Sequence, residues 1–260
     1  MEAYELIDLG DGARLERFGE HLTDRPHAGS LAPRRAPERW PDADLRFDRD
    51  GGWTTRDGGD PRPWPIQVEG LTLELRPTEA GQVGLFPEHR LTLDWLTART
   101  AARAGRHEDP PEVLHLFAYT GLATLAMARA GAAVAHVDAS RPTVAWARAN
   151  AALSRLNDRP IRWLVDDARD FVARELRRER RYDGIVLDPP SYGHGTRGAR
   201  RWQIGEDLAP LLAMCTRLLA DDGFLLLTAH TEALGPEGLG QAVRESDGPG
   251  TGRIETGALT

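Results

Sequence analysis

Val113-Leu114-His115-Leu116-Phe117-Ala118-Tyr119-Thr120-Gly121-Leu122 is the stretch whose reading decides the fold. Five residues of mostly apolar character, bounded by a turn, read as a buried strand, Val113 to Phe117. Tyr119-Thr120-Gly121 supplies the turn, and Leu122 to Ala130 reads as a helix stopped by Gly131. The same alternation continues downstream. Ala133 to Val137 is a strand ending at Asp138, and Pro142 to about Leu156 is a helix, with Ser140 placed to cap it. Ile161 to Val165 is a strand, Ala168 to Arg180 a helix, and Tyr182 to Leu187 a strand running into Asp188-Pro189-Pro190. Asp207 to Leu219 is a helix, Phe224 to Thr228 a strand, and Glu237 to about Arg244 a weak helix. Upstream, Leu91 to about Ala104 completes the series as a helix. Strictly alternating strands and helices imply an α/β fold, a doubly wound and mostly parallel sheet covered on both faces. Such sheets bind ligands at the carboxyl ends of their strands. Thr120-Gly121, Asp138, Asp167 and Asp188 all fall there.

Residues 1 to about 80 differ. They are rich in Pro, Gly, Arg and Asp, with short candidate strands. Tyr4 to Leu9 is one, and Gly70 to Arg76 alternates at period two. Trp40, Trp53 and Trp64 are spaced as aromatic anchors of a small β-rich lid. The predicted organisation is a β-rich N-terminal extension, 1–80, followed by a ligand-binding α/β domain, 81–260.

Composition excludes several classes. The 260 residues are 40% hydrophobic with 27 glycines, which suits a globular core. No run approaches the length of a membrane helix, and no signal peptide is visible, so a cytoplasmic protein without membrane association is expected. The single cysteine, Cys215, excludes an internal disulfide and a zinc site built on several thiolates, and no metal is expected. The net charge of −7 argues against broad, non-specific nucleic-acid binding, though not against a local basic patch. All 33 basic residues are arginine, so no catalytic lysine is available.

The strand ends also narrow the cofactor. A dinucleotide fold would carry G-x-G-x-x-G after its first strand, whereas here Gly121 stands alone. A phosphate-binding loop is absent, since no G-K-[ST] occurs. Asp138, 17 residues past Gly121, could accept both hydrogen bonds of a ribose diol. Asp167 could accept from an adenine amine. Either aspartate alone could instead be a helix N-cap. Their joint occurrence at consecutive strand ends favours an adenosine without phosphates, and S-adenosylmethionine is the common cofactor of that description.

Leu116-Phe117-Ala118-Tyr119-Thr120-Gly121, Val137-Asp138-Ala139-Ser140, Asp166-Asp167-Ala168 and Leu187-Asp188-Pro189-Pro190-Ser191-Tyr192-Gly193 together resemble the motif series of class I S-adenosylmethionine-dependent methyltransferases. The nearest resemblance is to the large-subunit rRNA methyltransferases with F-x-Y-T-G and D-P-P-x-[FY] motifs. It spans Gly84 to Thr228, and the start of the chain resembles an N-terminal extension of some bacterial members. The resemblance implies that Asp138 holds the ribose, with Ser140 beside it. It also implies that Asp167 takes the adenine amine and that the Ala168 N–H faces a ring nitrogen. Phe117, Tyr119, Thr120 and Gly121 would shape the methionine pocket, and Phe86 and Pro87 would close over the cofactor. Phe117 could equally be core packing.

Asp188-Pro189-Pro190-Ser191-Tyr192 carries the chemistry. Methyl transfer is an in-line displacement, and alignment supplies much of its rate. The Asp188 carboxylate and the Pro189 carbonyl could accept both hydrogens of an amine and turn its lone pair toward the methyl. Two prolines hold this backbone extended. Tyr192 could stack on a flipped base; the bland alternative is a rigid turn with a buried tyrosine.

Carbon methylation of cytosine needs a thiolate. Cys215 lies in an apolar helical stripe and is expected in the core, and the segment after the fifth strand reads Thr228-Ala229-His230-Thr231. Nitrogen or oxygen methylation is therefore favoured. His230 could titrate near the site or act as a cap. His194 could touch substrate, and Arg197, Arg200 and Arg201 could contact RNA phosphates. Arg174 to Arg181 reads as a solvated, ion-paired face. Rival readings are a methyltransferase of a small molecule or protein, a non-catalytic binder of the cofactor, and an unrelated adenosine-binding enzyme. Gly252 to Leu259 is a candidate strand. The family sheet ends in a sixth and an antiparallel seventh strand, so the last is expected to be missing or short in a truncated chain.

Overall fold

Asp11-Gly12 and Glu69-Gly70 put both central residues of a two-residue turn at positive φ, 52° and 76° in the first, 47° and 73° in the second. Turns of this hand match the twist of paired strands and fold the chain into hairpins. The first joins β1 (Tyr4–Gly10) to β2 (Ala13–Phe18), and the second joins β6 (Trp64–Val68) to β7 (Leu71–Leu75). With β3 (His21–Pro26), β4 (Leu45–Asp48) and β5 (Gly52–Thr55) they build a five-stranded sheet in the order β1-β2-β3-β4-β5 and a separate hairpin. Leu15, Leu22, Trp40 and Ala43 form a small core. Asp8 is buried beside it and accepts from Trp40 Nε1 at 2.8 Å and from the Ala36 N–H at 2.9 Å. Glu16 and Arg25 form a buried ion pair at 2.7 Å. Trp64 donates to the Phe18 carbonyl at 3.1 Å, and Trp53 to the Thr78 carbonyl at 2.7 Å. All three tryptophans are thus anchored by their ring N–H.

The computed structural model describes residues 4–106, 108–193, 201–231, 234–246 and 252–258. The chain divides into two units, Met1–Pro87 and Glu88–Thr260. The second begins with α1 (Arg90–Ala104). Then follow β8 (Glu112–Leu116), α2 (Leu122–Arg129), β9 (Ala133–Asp138), α3 (Arg141–Leu153), β10 (Ile161–Val165), α4 (Ala168–Arg177) and β11 (Tyr182–Leu187). A two-residue pair, β12 (Tyr192–Gly193) and β13 (Trp202–Gln203), precedes α5 (Ile204–Leu218), β14 (Leu219–Leu227) and α6 (Pro236–Arg244). Strands β10-β9-β8-β11-β14 form one sheet with every neighbour parallel. The chain runs outward from β8 to β10, then crosses back to place β11 on the other side of β8. That reversal is the topological switch point, where a crevice opens at the carboxyl ends of the strands.

Parallel strands are buried on both faces, which explains their apolar runs. Val113, Leu114, Leu116, Ile185, Val186 and Leu187 are all buried. Two histidines interrupt them side by side, His115 and His136. Their Nδ1 atoms flank the Thr124 hydroxyl at 2.7 and 2.9 Å. Burial pushes His115 down to about 3 and holds His136 well below its ordinary value, so both are neutral.

Three expectations are corrected. Residues 252–258 form no strand; each is exposed, so nothing is gained by pairing. Glu175 is not on a solvated face: it is buried and accepts from the Tyr182 hydroxyl at 2.7 Å. Helix α5 starts at Ile204 rather than Asp207, because the Asp207 carboxylate reaches back to the Gln203 N–H at 2.8 Å and buries Ile204. Among the described residues no helix is long and apolar enough to cross a membrane.

Candidate active site

The turn after β8 is unusual in its backbone. Phe117, Tyr119 and Gly121 all have positive φ, 54°, 48° and 90°. Two non-glycine residues in the left-handed region within three positions are costly and mark sites that the surroundings hold in place. The holding group is Asp138. Its Oδ2 accepts the Tyr119 N–H and its Oδ1 the Ser140 N–H, both at 2.9 Å. Asn150 Nδ2 adds a buried bond to the Thr120 carbonyl at 3.0 Å. Gly121 is needed for space as well as φ, since a Cβ there would lie 3.2 Å from Ala147 Cβ on α3.

Asp138 is not the cap of α3. Ser140 is, accepting from the Thr143 N–H at 3.4 Å. Each Asp138 oxygen carries one donor, and a carboxylate has about four acceptor positions, so capacity remains for two hydroxyls. Burial raises the Asp138 pKa, against the two backbone N–H groups that lower it. Asp167 is placed differently: it caps α4 through the Arg169 N–H at 2.9 Å. It is also gripped by the Arg169 side chain, Nε to Oδ1 at 3.0 Å and Nη2 to Oδ2 at 2.8 Å. The Asp170 N–H also donates to it, so four donors converge on Asp167. Burial raises its carboxyl, but the hydrogen bonds and charge of Arg169 outweigh this and lower it. Ala168 is the first residue of α4, so its N–H has no helical partner. Phe117 is half-buried with its ring 4.9 Å from that of Trp202, and the Tyr119 ring is 6.4 Å from that of Trp146.

On the other side of the switch point, Asp188 follows β11 directly. Its Oδ1 accepts the Thr228 hydroxyl at 2.7 Å, and its Oδ2 lies 3.2 Å from His89 Nε2 and 3.9 Å from His230 Nε2. Burial raises the Asp188 carboxyl, but the hydrogen bond and charge of His89, with Thr228, outweigh it and hold it below the ordinary range. His89 shows the reciprocal effect: burial lowers it, and the Asp188 bond and charge bring it above its ordinary value. Pro189 is buried and Pro190 exposed. Trp202 Nε1 donates to the Pro190 carbonyl at 2.6 Å and the Ser191 hydroxyl to the His230 carbonyl at 2.9 Å, which pins the loop on both sides. Tyr192 is 78% exposed, so the reading of a buried tyrosine does not hold.

His89 was not singled out in the sequence. It lies in the 3-10 turn Pro87–His89, and no spacing links it to Asp188, 99 residues away. Phe86 and Pro87 close the first unit, Phe86 half-buried and Pro87 buried. His194, Arg197 and Arg200 lie outside the described residues, and Arg201 is exposed. Cys215 is wholly buried in the cluster of Leu211, Leu212 and Leu218, and burial pushes its thiol up to about 12.

A carboxylate with spare acceptor positions, an unpartnered helix N–H and a tight left-handed turn, all at one sheet edge, fit an adenosine-type cofactor without phosphates. A family model described as S-adenosylmethionine-dependent methyltransferase matches residues 30–250. A methyltransferase structure from Agrobacterium tumefaciens is 36% identical with a TM-score of 0.89, covering 95% of this chain and 79% of that one. A Streptococcus mutans methyltransferase structure, 17% identical with a TM-score of 0.75, covers 94% of this chain and 65% of that one and shows the same fold. The ribosomal RNA large subunit methyltransferase K/L of Methylococcus capsulatus is 36% identical over 148 residues, 56% of this chain and 19% of that protein. The chain therefore spans about a fifth of the length of such curated relatives. The cradle at the switch point and these likenesses agree: the chain belongs to the family of S-adenosylmethionine-dependent methyltransferases, and that compound is its cofactor.

Proposed function

We propose that the chain methylates a nitrogen of a base in ribosomal RNA, in the cytoplasm, without a cysteine nucleophile. The observation that carries this reading is the Asp188-Pro189-Pro190-Ser191-Tyr192 segment at the end of β11, with a half-buried, ionised carboxylate at one end and an exposed tyrosine at the other. The bound cofactor supplies a methyl group on a positively charged sulfur. Asp138 receives the ribose hydroxyls, and Asp167 with the Ala168 N–H receives the adenine edge. Phe117, Tyr119, Thr120 and Gly121 wall the methionine end. Asp188 is kept charged by His89 and oriented by Thr228, so it accepts one amine hydrogen while the Pro189 carbonyl accepts the other. The lone pair of the amine would then face the methyl; transfer would leave the cofactor as a neutral thioether, Asp188 would take the surplus amine proton, and alignment would do much of the work. Tyr192 offers an open ring face on which a base stacks. Cys215 is sealed in the core and too basic to attack a ring. Relatives named as rRNA methyltransferases support RNA as the substrate.

The test is methyl transfer from labelled cofactor into free rRNA, ribosomal particles and a small-molecule extract, with Asp188→Ala alongside. Label in RNA that the variant loses supports the reading. Label only in the small-molecule pool overturns it.

A further inference from the structure

At the switch point, three side chains from three separate segments of the chain bring their ligand atoms together. We infer that His89, Asp188 and His230 form a binding site for a divalent transition-metal ion of the zinc type. His89 Nε2 and Asp188 Oδ2 are 3.2 Å apart, His89 Nε2 and His230 Nε2 are 3.3 Å apart, and His230 Nε2 and Asp188 Oδ2 are 3.9 Å apart. Zinc binds imidazole nitrogen and carboxylate oxygen at about 2.0–2.2 Å, which puts neighbouring ligand atoms of a tetrahedron about 3.3–3.6 Å apart. The two edges at His89, 3.2 and 3.3 Å, lie at the short end of that range, and the His230–Asp188 edge, 3.9 Å, has to close by about 0.3 Å to complete one face of the tetrahedron.

The surroundings supply what metal sites need behind their ligands. Glu88 Oε1 lies 3.4 Å from His230 Nδ1, so a carboxylate orients the ring with its Nε2 toward the triangle. The Thr228 hydroxyl holds the other oxygen of Asp188 at 2.7 Å. Carboxylate behind histidine and hydroxyl behind carboxylate are the usual outer contacts of ligating groups. Two imidazoles and one carboxylate select a zinc-like ion over magnesium or calcium, which prefer all-oxygen sets. The facing Nε2 atoms also need a cation or one shared proton, because two N–H groups cannot point at each other. Three protein ligands leave a fourth position for water or a substrate atom, the pattern of a reactive rather than a structural site. His230 is partly exposed, which gives an ion a way in.

The site shares Asp188 and His89 with the proposed methyl transfer, and an ion would engage Asp188 through Oδ2; its test needs no methyl transfer, so failure of the ion titration and failure of the transfer assay are told apart. Tag-free protein, stripped with a chelator, is titrated with Co2+ as the visible probe and then with Zn2+. The expected result is saturation at one Co2+ per chain, with absorption bands that Zn2+ abolishes and excess Mg2+ does not. His230→Ala, a change at a partly exposed side chain, should remove the bands while circular dichroism and thermal melting stay close to the parent. Glu88→Gln should weaken binding about 10–100-fold. Absence of saturable binding, bands that persist in His230→Ala, or displacement by Mg2+ would each overturn the site.

Discussion

Replacing Asp138 by Asn separates the two jobs that this carboxylate does. Asp138 Oδ2 takes the Tyr119 N–H and Oδ1 the Ser140 N–H, each at 2.9 Å. An asparagine has the same shape but one oxygen, so its amide NH2 must face one of these donors. One of these N–H groups, part-buried at Tyr119 and exposed at Ser140, then loses its acceptor, which costs about 0.5–1.5 kcal/mol of stability without any ligand. A ribose diol bound to the carboxylate loses one charge-assisted hydrogen bond as well, about 1.5–3 kcal/mol, or about 10–150-fold in affinity. Thermal melting of the cofactor-free protein reads the first loss, and calorimetric titration with S-adenosylmethionine reads the second. Cofactor affinity should also fall as the pH drops through the Asp138 pKa, which burial places above the ordinary 3.8. A variant that melts lower but binds the cofactor as tightly as the parent would refute the reasoning. Asp138 would then only hold the Tyr119 and Ser140 backbone.

Gly121→Ala should lower stability by about 1–2 kcal/mol from its φ of 90° alone, and more through Ala147 at 3.2 Å, with weaker cofactor binding in the same titration. Gly184→Ala places a Cβ 2.3 Å from Phe224 Cζ, whose ring is edge-on to Trp95, and should cost about 1–3 kcal/mol in urea unfolding; Phe224→Leu should restore part of it. Buried neutral His115 and His136 have lowered folded pKa values, so their contribution is complete above the unfolded value of 6.5 and is lost as the pH falls below it. Between pH 7 and pH 5 the two together should remove about 4 kcal/mol, and His136→Gln should make that loss smaller by about 2 kcal/mol. An unchanged pH dependence in the variant would mean that His136 protonates in the folded protein.

The parallel sheet was legible because burial on both faces makes its central strands mostly apolar, whereas the edge strand Ile161–Val165 has no buried residue and was marked by its apolar and aromatic residues around Arg162. Ile161–Val165 and Tyr182–Leu187 begin and end where the sequence places them. The ends of other elements were hidden by polar residues with local structural jobs. Asp221 and Asp222 interrupt the apolar run of β14, which starts at Leu219 and not at Phe224. Asp207 looks like a helix start but is the group that closes the turn before it. In the N-terminal unit, Asp11-Gly12 is a hairpin signal that would have located β2, and Glu69-Gly70 does the same for β6. His89 left no such trace. Its role depends on bringing positions 89, 188 and 230 together, and that is a property of the sheet rather than of any local pattern.

The two sides of the switch point differ in kind, and that difference explains which chemistry can be read from the sequence. On the β9 and β10 side, the binding groups are fixed by backbone donors and a helix start: Asp138 by the Tyr119 and Ser140 N–H groups, Ala168 by its place at the head of α4. An aspartate at that strand end serves dinucleotide sites as well, so the topology supplies the ribose acceptor and the lone Gly121, without a second glycine for a pyrophosphate, narrows the cofactor. On the β11 and β14 side, Asp188 is fixed by side chains, Thr228, His89 and His230, two of them outside any regular element. Each can change without disturbing the sheet. Substituting them should therefore alter which atom is methylated, or which ion is held, while cofactor affinity and melting temperature stay near those of the parent. A variant at His230 or Thr228 that lost cofactor binding along with turnover would show that the two sides are not separable.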